Sequence, residues 1–411
     1  MTPEETAAIA YLRQPQAIRD RCQQLFELCQ AGKLEHFACD LTQLAAVADY
    51  VIETTQQFYP DFDVPFHSRW RHFDAGGTPR LAEFNQTLAG LSTQAAARSR
   101  LDLAIVSVLL DAGAGAQWRY CDRQANQVLG RSEGLAIASL QAFQQGAFSS
   151  HPEQPYQVDA AGLQDLTQQD LAQIFQVSDN NPLVGLSGRL LLLHQLGKTL
   201  ASQPQRFGAD CPRPGNLLDY WQSTVGSTLD AGELLTAVLT SFSDIWPGRV
   251  AIADTNLGDV WPHPALLQTS PGAHLVPFHK LSQWLTYSLV EPLQSAGLTV
   301  THLNALTGLA EYRNGGLCVD LGLLLPKHDA VTRKAHVPHS PIVVEWRALT
   351  LVMLDLIGDR VCQQLGKTSE DLPLIKVLEG GTWAAGRRLA KHLRPSTGAP
   401  PIAIQSDGTV F

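Results

Sequence analysis

A helix with both of its ends marked constrains the fold of this chain more than any other feature. Ser340 is a residue type that caps helix N-termini, Pro341 suits the first helical position, and Gly366 suits the residue just beyond the end. The chain also opens with a capping pattern, in which Thr2 caps a helix and Glu5 completes the capping box. Helical patterning recurs along the chain, which predicts further helices up to about residue 55 and over 81–147, 218–242 and 280–297.

The last residues differ from this pattern. PPIAIQSDGTVF alternates apolar and polar residues around a Ser-Asp-Gly turn, which predicts a short C-terminal hairpin. We therefore predict a mainly α fold with small β elements, built as a compact multi-helix globule. The 411 residues suit one globular unit. The alternative is two subdomains joined near 148–160, with 1–147 carrying an ordered loop at 59–80 and 161–411 carrying the hairpin.

The composition is that of a folded, acidic protein. It is 45% hydrophobic and 17% charged, and its formal net charge is −9. An acidic chain without a run of Lys or Arg is a poor partner for nucleic acid or an anionic membrane. A locally basic pocket would still fit a small anionic substrate.

Cysteine usage and the start of the chain predict a cytoplasmic location. The seven cysteines are odd in number and form no C-x-x-C pair, so we expect reduced thiols and neither a disulfide framework nor a cysteine zinc site. The opening MTPEETAAIAYL has neither the basic nor the apolar region of a secretory signal. The longest apolar run, Leu103–Leu110, is far too short to span a bilayer.

The segment 59–80 interrupts the helical pattern and places polar groups beside aromatic ones. Phe66, Trp70 and Phe73 favour burial, so they would carry their polar neighbours inward, where these need partners or a ligand. The segment therefore predicts either a buried, salt-bridged loop or the wall of a site. The polar groups concerned are His67, Arg69, Arg71, His72 and Asp74.

A divalent metal, iron or zinc, is one alternative for this segment. His72 and Asp74 have the spacing of the local half of a two-histidine, one-carboxylate site, which a distant His279 would complete. The pattern is short, and such sites usually lie on β scaffolds, so a site without a metal stays open as well. The candidate ligands are His67, His72, Asp74, His279 and Glu311.

Two further segments place single carboxylates beside glycine, tryptophan or histidine. Asp111 follows an apolar helical run, where the helix dipole opposes a negative charge, so we expect a raised pKa unless this is a solvated helix end. Trp118 and Arg119 follow soon after it. Asp259 and His279 lie among Trp, Gly and Pro residues, which predicts either a pocket wall or an aromatic core.

Arginines and acidic residues recur in the second half of the chain. Glu311 precedes Arg313 by two residues and suits either a general base or an ion-pair partner. Glu345 and Arg347 lie near a helix start and point to different faces, and arginine suits a bidentate clamp on phosphate or carboxylate. Two more acidic residues complete the set, Glu379 before a Gly-Gly-Thr that could present backbone N–H groups to an anion, and Asp407 in the terminal turn.

Long phrases of the sequence carry a family resemblance over the full length. They are HSRWRHFDAGG, LLDAGAG with Trp118-Arg119, RSEGLA, WPGR, LVPFHKLSQWLTYSL, GLAEYRNGG, VVEWRALT, EGGTWAAGR and SDGTVF. By these phrases the chain resembles the fungal and bacterial uracil-catabolism proteins, a family that includes uracil-catabolism protein four and uracil-regulated gene three.

The resemblance implies a place in a pyrimidine-degradation route in which uracil becomes a ribonucleotide, the ring is opened and ribosylurea species appear. The implied activity is that of a hydrolase that cleaves the N-glycosidic bond of a (phospho)ribosylurea, giving urea and ribose phosphate. Two alternatives stay open: a metal-dependent amide or ureido hydrolase or deaminase of the same route, and a non-catalytic ligand-binding protein that regulates it.

This chemistry assigns roles to the candidate residues. It needs a carboxylate, for which Asp74, Asp111 and Glu311 are the catalytic candidates, and cations for phosphate. The phosphate candidates are Arg69, Arg71, Arg313 and Arg347. The other predicted substrate-binding residues are His67, His72, Trp118, Arg119, Asp259, His279, Glu345, Glu379 and Asp407. We expect a small, ribosylated, anionic substrate, and the sequence leaves an oligomer open.

Overall fold

A computed structural model describes residues 1–115, 117–246 and 249–405, and helices dominate it. Short 3₁₀ turns and one π-helical segment, Leu378–Thr382, connect some of the α-helices. The predicted mainly α fold with small β elements is confirmed. The helices are α1 (Pro3–Leu12), α2 (Pro15–Gln30), α3 (Leu44–Phe58), α4 (Arg69–Phe73), α5 (Arg80–Thr87), α6 (Thr93–Leu109), α7 (Arg131–Gln144), α8 (Ala160–Asp165), α9 (Gln168–Ile174), α10 (Leu186–Ser202), α11 (Pro204–Phe207), α12 (Leu217–Val225), α13 (Ala231–Ser241), α14 (Lys280–Ser295), α15 (Tyr312–Asp320), α16 (Ala330–Arg333), α17 (Pro341–Leu365), α18 (Leu374–Val377) and α19 (Trp383–Leu393).

The strands are short and pair two by two. They are β1 (Phe37–Cys39), β2 (Tyr120–Asp122), β3 (Gln127–Leu129), β4 (Thr228–Asp230), β5 (Ala251–Ile252), β6 (Thr255–Asn256), β7 (Val260–Pro262), β8 (Leu275–Pro277), β9 (Thr299–Thr301), β10 (Leu324–Pro326), β11 (Ala335–His336) and β12 (Ala403–Ile404). Antiparallel pairs join β1 with β10, β2 with β3, β5 with β6 and β7 with β8, and parallel pairs join β4 with β9 and β11 with β12. The turn of the predicted C-terminal hairpin lies outside the described residues.

The two capping patterns predicted at the start of α1 and the ends of α17 are confirmed. The Thr2 hydroxyl accepts from the backbone N–H of Glu5 at 3.1 Å, and the Glu5 carboxylate accepts from the N–H of Thr2 at 2.7 Å. Ser340 caps α17, and Gly366 follows the helix in the left-handed conformation, with φ of 63°.

The single helix predicted over 218–242 is wrong. Gly226, with φ of 76°, ends α12, and the chain then passes through β4 before Asp230 caps α13. The apolar pattern continues across this break because α12 and α13 each bury apolar side chains. The prediction of helices over 81–147 is confirmed by α5, α6 and α7, with the β2–β3 hairpin before α7.

Helices α6 and α14 pack against each other at the centre of the fold. In α14 every residue from Leu281 to Leu293 except Glu291 is buried, which is typical of a helix surrounded by protein. Around this pair, α17 packs along α2 and α3, and α15 packs against α19. None of the helices within the described ranges has the length and apolar character needed to cross a bilayer.

Candidate active site

A cavity of about 510 Å³ lies where three helices begin. The first residues of α7, α14 and α15 line it, together with residues 111–115 after α6, part of α19 and the segment 397–404. The N-terminal end of a helix carries a partial positive charge, and the start of α7, which has no side-chain cap, therefore favours an anionic ligand.

A larger cavity, of about 970 Å³, is lined by residues of α2, α13 and α17. Arg19 in its wall already bonds to Asp355 and to the carbonyl oxygens of Ala305 and Leu306. The smaller cavity instead is lined by ionisable groups with shifted pKa values, and the buried indole N–H of Trp284 in its wall has no partner among the described residues. We therefore take the smaller cavity as the candidate active site.

Asp111 is held in the cavity wall by a buried arginine. Arg69, which is fully buried, places Nη1 2.8 Å from Asp111 Oδ2, and the Ser132 hydroxyl donates to the same carboxylate at 2.6 Å. Burial alone would raise the pKa of Asp111, but Arg69, His72 and the Ser132 hydrogen bond outweigh it and hold this pKa below the usual aspartate value. The predicted rise is wrong, because it rested on the helix end and omitted a guanidinium that comes from another segment.

The two histidines of the 59–80 segment both reach the cavity. His67 Nδ1 lies 2.6 Å from Glu379 Oε2. His72 Nδ1 lies 3.3 Å from Arg69 Nη1 and 3.1 Å from Ser132 Oγ. Burial and the charge of Arg69 lower the pKa of His72 to about 4, so its ring is neutral at neutral pH.

Two tryptophans pack against both of these histidine rings. The ring centroid of Trp284 lies 4.6 Å from that of His67 and 5.5 Å from that of His72. The corresponding distances from Trp383 are 6.4 and 6.0 Å. Both tryptophans also line the cavity, so one corner of it is aromatic.

Glu311 and Lys280 bring opposite charges to another part of the wall. Glu311 caps α15 by accepting from the backbone N–H of Asn314 at 2.6 Å and of Arg313 at 2.8 Å, yet burial raises its pKa above the usual glutamate value. Burial lowers the pKa of Lys280, although Glu311 and Asp111 oppose that shift. Within the described part of the chain, no hydrogen bond or ion pair engages the Lys280 ammonium, which leaves it available to a ligand.

Three arginines form a basic side of the cavity: Arg131, Arg313 and Arg387. Arg313 donates to the carbonyl of Gly398 at 2.7 Å, and Arg387 bonds to Glu133 at 2.5 Å. Burial and the charges of Arg313 and Arg387 lower the pKa of Arg131. The guanidinium of Arg131 therefore lies close enough to those of Arg313 and Arg387 to be repelled by both, and a bound anion would relieve that repulsion.

The predicted residues Asp259 and Arg347 form a buried ion pair outside this cavity. Nη1 and Nη2 of Arg347 each lie 2.7 Å from a different oxygen of Asp259. The same guanidinium lies over the ring of Phe278, 4.0 Å from its centroid. Because both fork nitrogens already hold a carboxylate, this pair is suited to joining α17 to the start of α14.

Six other predicted residues also lie outside the cavity wall. Each bonds to a neighbouring part of the fold: Arg71 to Glu291, Asp74 to the N–H of Leu81, Trp118 to the carbonyl of Phe175, Arg119 to the carbonyl of Trp118, His279 to the carbonyl of Leu12 and Glu345 to the N–H of His36. Glu379 lies behind His67 rather than in the wall. Asp407 is outside the described residues.

The five predicted metal ligands do not form one group. His67, His72 and Glu311 line the cavity, whereas Asp74 and His279 lie elsewhere. Among the described residues, the one cluster of three His, Cys, Asp or Glu side chains near enough to share an ion is His151, Asp159 and Cys211, which includes none of the five.

Comparison with known proteins identifies the family. The family described as a protein of unknown function, DUF1688, matches residues 11–411. The chain belongs to this family. Protein urg3 of Schizosaccharomyces pombe is 41% identical over 413 residues, which cover 99% of this chain and 100% of the relative. Uracil catabolism protein 4 of Lachancea kluyveri is 36% identical over 441 residues, which cover 98% and 99%. These relatives confirm the resemblance carried by the long phrases.

Several cavity residues of this DUF1688 protein were not among the predicted site residues. They are Arg131, Ser132, Lys280, Trp284, Trp383 and Arg387. All six lie inside phrases that carry the resemblance, namely RSEGLA, LVPFHKLSQWLTYSL and EGGTWAAGR. Those phrases were the available signal, since nothing in the residue types alone distinguishes these side chains from others of their kind.

Proposed function

We propose that this DUF1688 protein is a hydrolase of uracil catabolism that cleaves the N-glycosidic bond of a ribosylated ureido compound, with a phosphoribosylurea as the expected substrate. The name of one relative, Uracil catabolism protein 4, supports the metabolic setting. The observation that carries the proposal is a pair of carboxylates in one cavity, Asp111 and Glu311, whose pKa values are shifted in opposite directions. Such a pair supplies a base and an acid at the same pH.

Asp111 suits the role of the ionised carboxylate. Cleavage of a ribosyl C–N bond develops positive charge at C1′, and a fixed negative charge nearby stabilises it. Arg69 and Ser132 hold the carboxylate in one orientation. The same carboxylate accepts a proton from the attacking water as the oxygen of that water bonds to C1′.

Glu311 suits the role of the acid. The nitrogen that leaves C1′ must gain a proton, and a carboxyl group with a raised pKa retains its proton to higher pH. The reaction consumes one water: its oxygen and one hydrogen become the new hydroxyl at C1′, and the other hydrogen ends on urea. Lys280 compensates the negative charge that remains when Glu311 has given up its proton.

The basic side of the cavity supports an anionic substrate. Arg131, Arg313 and Arg387 provide guanidinium groups, and the start of α7, which has no side-chain cap, adds the positive end of a helix. A volume of about 510 Å³ lies in the usual range for a small-molecule site. Phosphate on the ribose would bind at these guanidinium groups.

The test is release of urea from synthetic 5-phosphoribosylurea, followed with a coupled urease assay. We expect Asp111→Asn and Glu311→Gln each to lower kcat by roughly 10²- to 10⁴-fold. Asp74→Asn is the control, because it removes a carboxylate that lies outside the cavity. Ammonia formed when urease is left out would indicate a deaminase or amide hydrolase, and tight binding without any product would indicate a non-catalytic ligand-binding protein. Unchanged turnover in both cavity variants would refute the site assignment.

A further inference from the structure

The hydrogen bond behind His67 fixes which of its ring nitrogens carries the proton. The carboxylate of Glu379 contacts Nδ1 of His67. Burial raises the pKa of Glu379, but the hydrogen bond with His67 and nearby charges outweigh burial and bring this pKa below the usual glutamate value. An ionised carboxylate can only accept, so Nδ1 of His67 is the donor. In the neutral ring Nε2 is then a hydrogen-bond acceptor, and no hydrogen bond within the described part of the chain occupies it.

Arg69, which lies behind His72, favours the opposite protonation of that ring. Arg69 Nη1 lies 3.3 Å from Nδ1 of His72 and can only donate, because a guanidinium has no acceptor. Ser132 Oγ, 3.1 Å from the same Nδ1, could accept from it, but an N–H at Nδ1 would then point at the positive guanidinium. Nδ1 of His72 is therefore the acceptor, which places the proton of the neutral ring on Nε2. This N–H also has no partner among the described residues.

The two free ring edges thus have opposite polarity in the same corner of the cavity. We propose that His67 and His72 form a recognition pair, in which His67 Nε2 accepts an N–H and His72 Nε2–H donates to a C=O of a planar amide or ureido group that lies beside Trp284 and Trp383. This inference rests on the proposed function and names the part of the substrate that binds in the aromatic corner. A ureido group carries its N–H and C=O on adjacent atoms, whereas a sugar phosphate offers no such planar edge.

The histidine pair and the arginines would then bind different parts of one substrate. The arginines bind the phosphate, and the histidines bind the leaving group. Replacing one of the two histidines should leave a polar atom of the bound ureido group without a hydrogen-bond partner. The resulting loss of binding affinity should appear only for ligands that carry a ureido group.

Isothermal titration at pH 8 with two probes tests the pair: 5-phosphoribosylurea, used with the slow Glu311→Gln variant as the binding protein, and ribose 5-phosphate, which lacks the ureido group. We expect His67→Phe and His72→Phe, each added to that background, to weaken phosphoribosylurea binding roughly ten- to hundredfold. Binding of ribose 5-phosphate should be retained, which also shows that the variants are folded. His392→Phe, an exposed histidine of α19, is the matched control and should change neither affinity.

The outcomes separate this inference from the proposed function. If phosphoribosylurea binds more tightly than ribose 5-phosphate and both histidine variants abolish that difference, the recognition pair stands even where the wild-type protein releases no urea. If the wild-type protein releases urea but neither histidine variant changes the affinity for phosphoribosylurea, the recognition pair is overturned and the hydrolase stands. Loss of turnover in His67→Phe with unchanged affinity would likewise overturn it, because His67 would then act on water rather than on the ureido group.

Discussion

The buried pair of Asp259 and Arg347 allows a quantitative prediction about the stability of this fold. Arg347 is 1% exposed, and each of its two terminal nitrogens lies 2.7 Å from a carboxylate oxygen. Asp259→Asn keeps the size of the side chain but leaves the guanidinium buried against a neutral amide. Breaking a buried pair in this way typically lowers the free energy of unfolding by about 3–5 kcal/mol.

The expected change in melting temperature follows from the size of the chain. At about 2.1 cal/mol/K per residue, unfolding of a chain of this length carries an entropy on the order of 0.9 kcal/mol/K. The loss therefore corresponds to a Tm that is lower by roughly 4–6 °C. The control is Asp329→Asn, which breaks the 3.0 Å pair with Arg333 on the surface, where the two side chains are 76% and 77% exposed. An exposed pair of this kind contributes about 0–0.5 kcal/mol.

Thermal unfolding followed by tryptophan fluorescence measures both variants. The effect should also depend on pH. Burial would raise the pKa of Asp259, but Arg347 and the N–H of Lys280 outweigh it and hold the pKa far below its ordinary value of 3.8. The stabilisation is thus present above pH 3.8 and is lost as the pH falls below it, so the gap between wild type and Asp259→Asn should narrow in acid. Equal Tm values for the Asp259 and Asp329 variants at pH 7 would refute this account.

Three further predictions concern the cavity and the packing beside it. Arg387→Gln should raise KM for phosphoribosylurea about tenfold, whereas Arg388→Gln should leave KM unchanged, because Arg388 contacts Glu53, Thr54 and Tyr50 of α3 and does not line the cavity; equal effects would contradict a phosphate site on one face of α19. Because Glu311 acts while protonated and its pKa is raised, kcat should fall as pH rises through that pKa, and this limb should be absent from the residual activity of Glu311→Gln. A Cβ on Gly381 would lie 2.3 Å from a valine methyl of α3, so Gly381→Ala should destabilise by about 1–3 kcal/mol, whereas Gly188→Ala, which meets nothing within 4 Å, should not destabilise in urea unfolding.

Local sequence signals determined the helical architecture. The caps at Thr2 and Ser340 form the predicted hydrogen bonds, since a capping residue acts on backbone groups only two or three positions away. Two of the three aromatic residues named in the 59–80 segment are buried, Trp70 at 6% exposed and Phe73 fully, whereas Phe66 is only partly buried. The sequence predicted one helix across Gly226 because the apolar pattern continues through this residue. The positive φ of Gly226 ends α12 there.

The composition of the cavity depended on packing between distant segments. The residue types of Arg69, Arg347, Asp111 and Asp259 were compatible with several pairings, and only the tertiary structure decided that Arg69 holds Asp111 while Arg347, 88 residues after Asp259, holds that carboxylate. Because of these pairings, Arg347 does not lie in the predicted phosphate site, and the pKa of Asp111 is lowered where the sequence predicted a rise.

The sequence by itself therefore determined the mainly helical fold, the start of α1, both ends of α17, the family, and which segment would bring its histidines inward. The tertiary structure alone decided which charges face one another and which face the cavity. The physical reason is range: a cap or an apolar face is set within one or two turns of helix, whereas an ion pair or a shifted pKa is set by whichever group another element brings within a few ångströms.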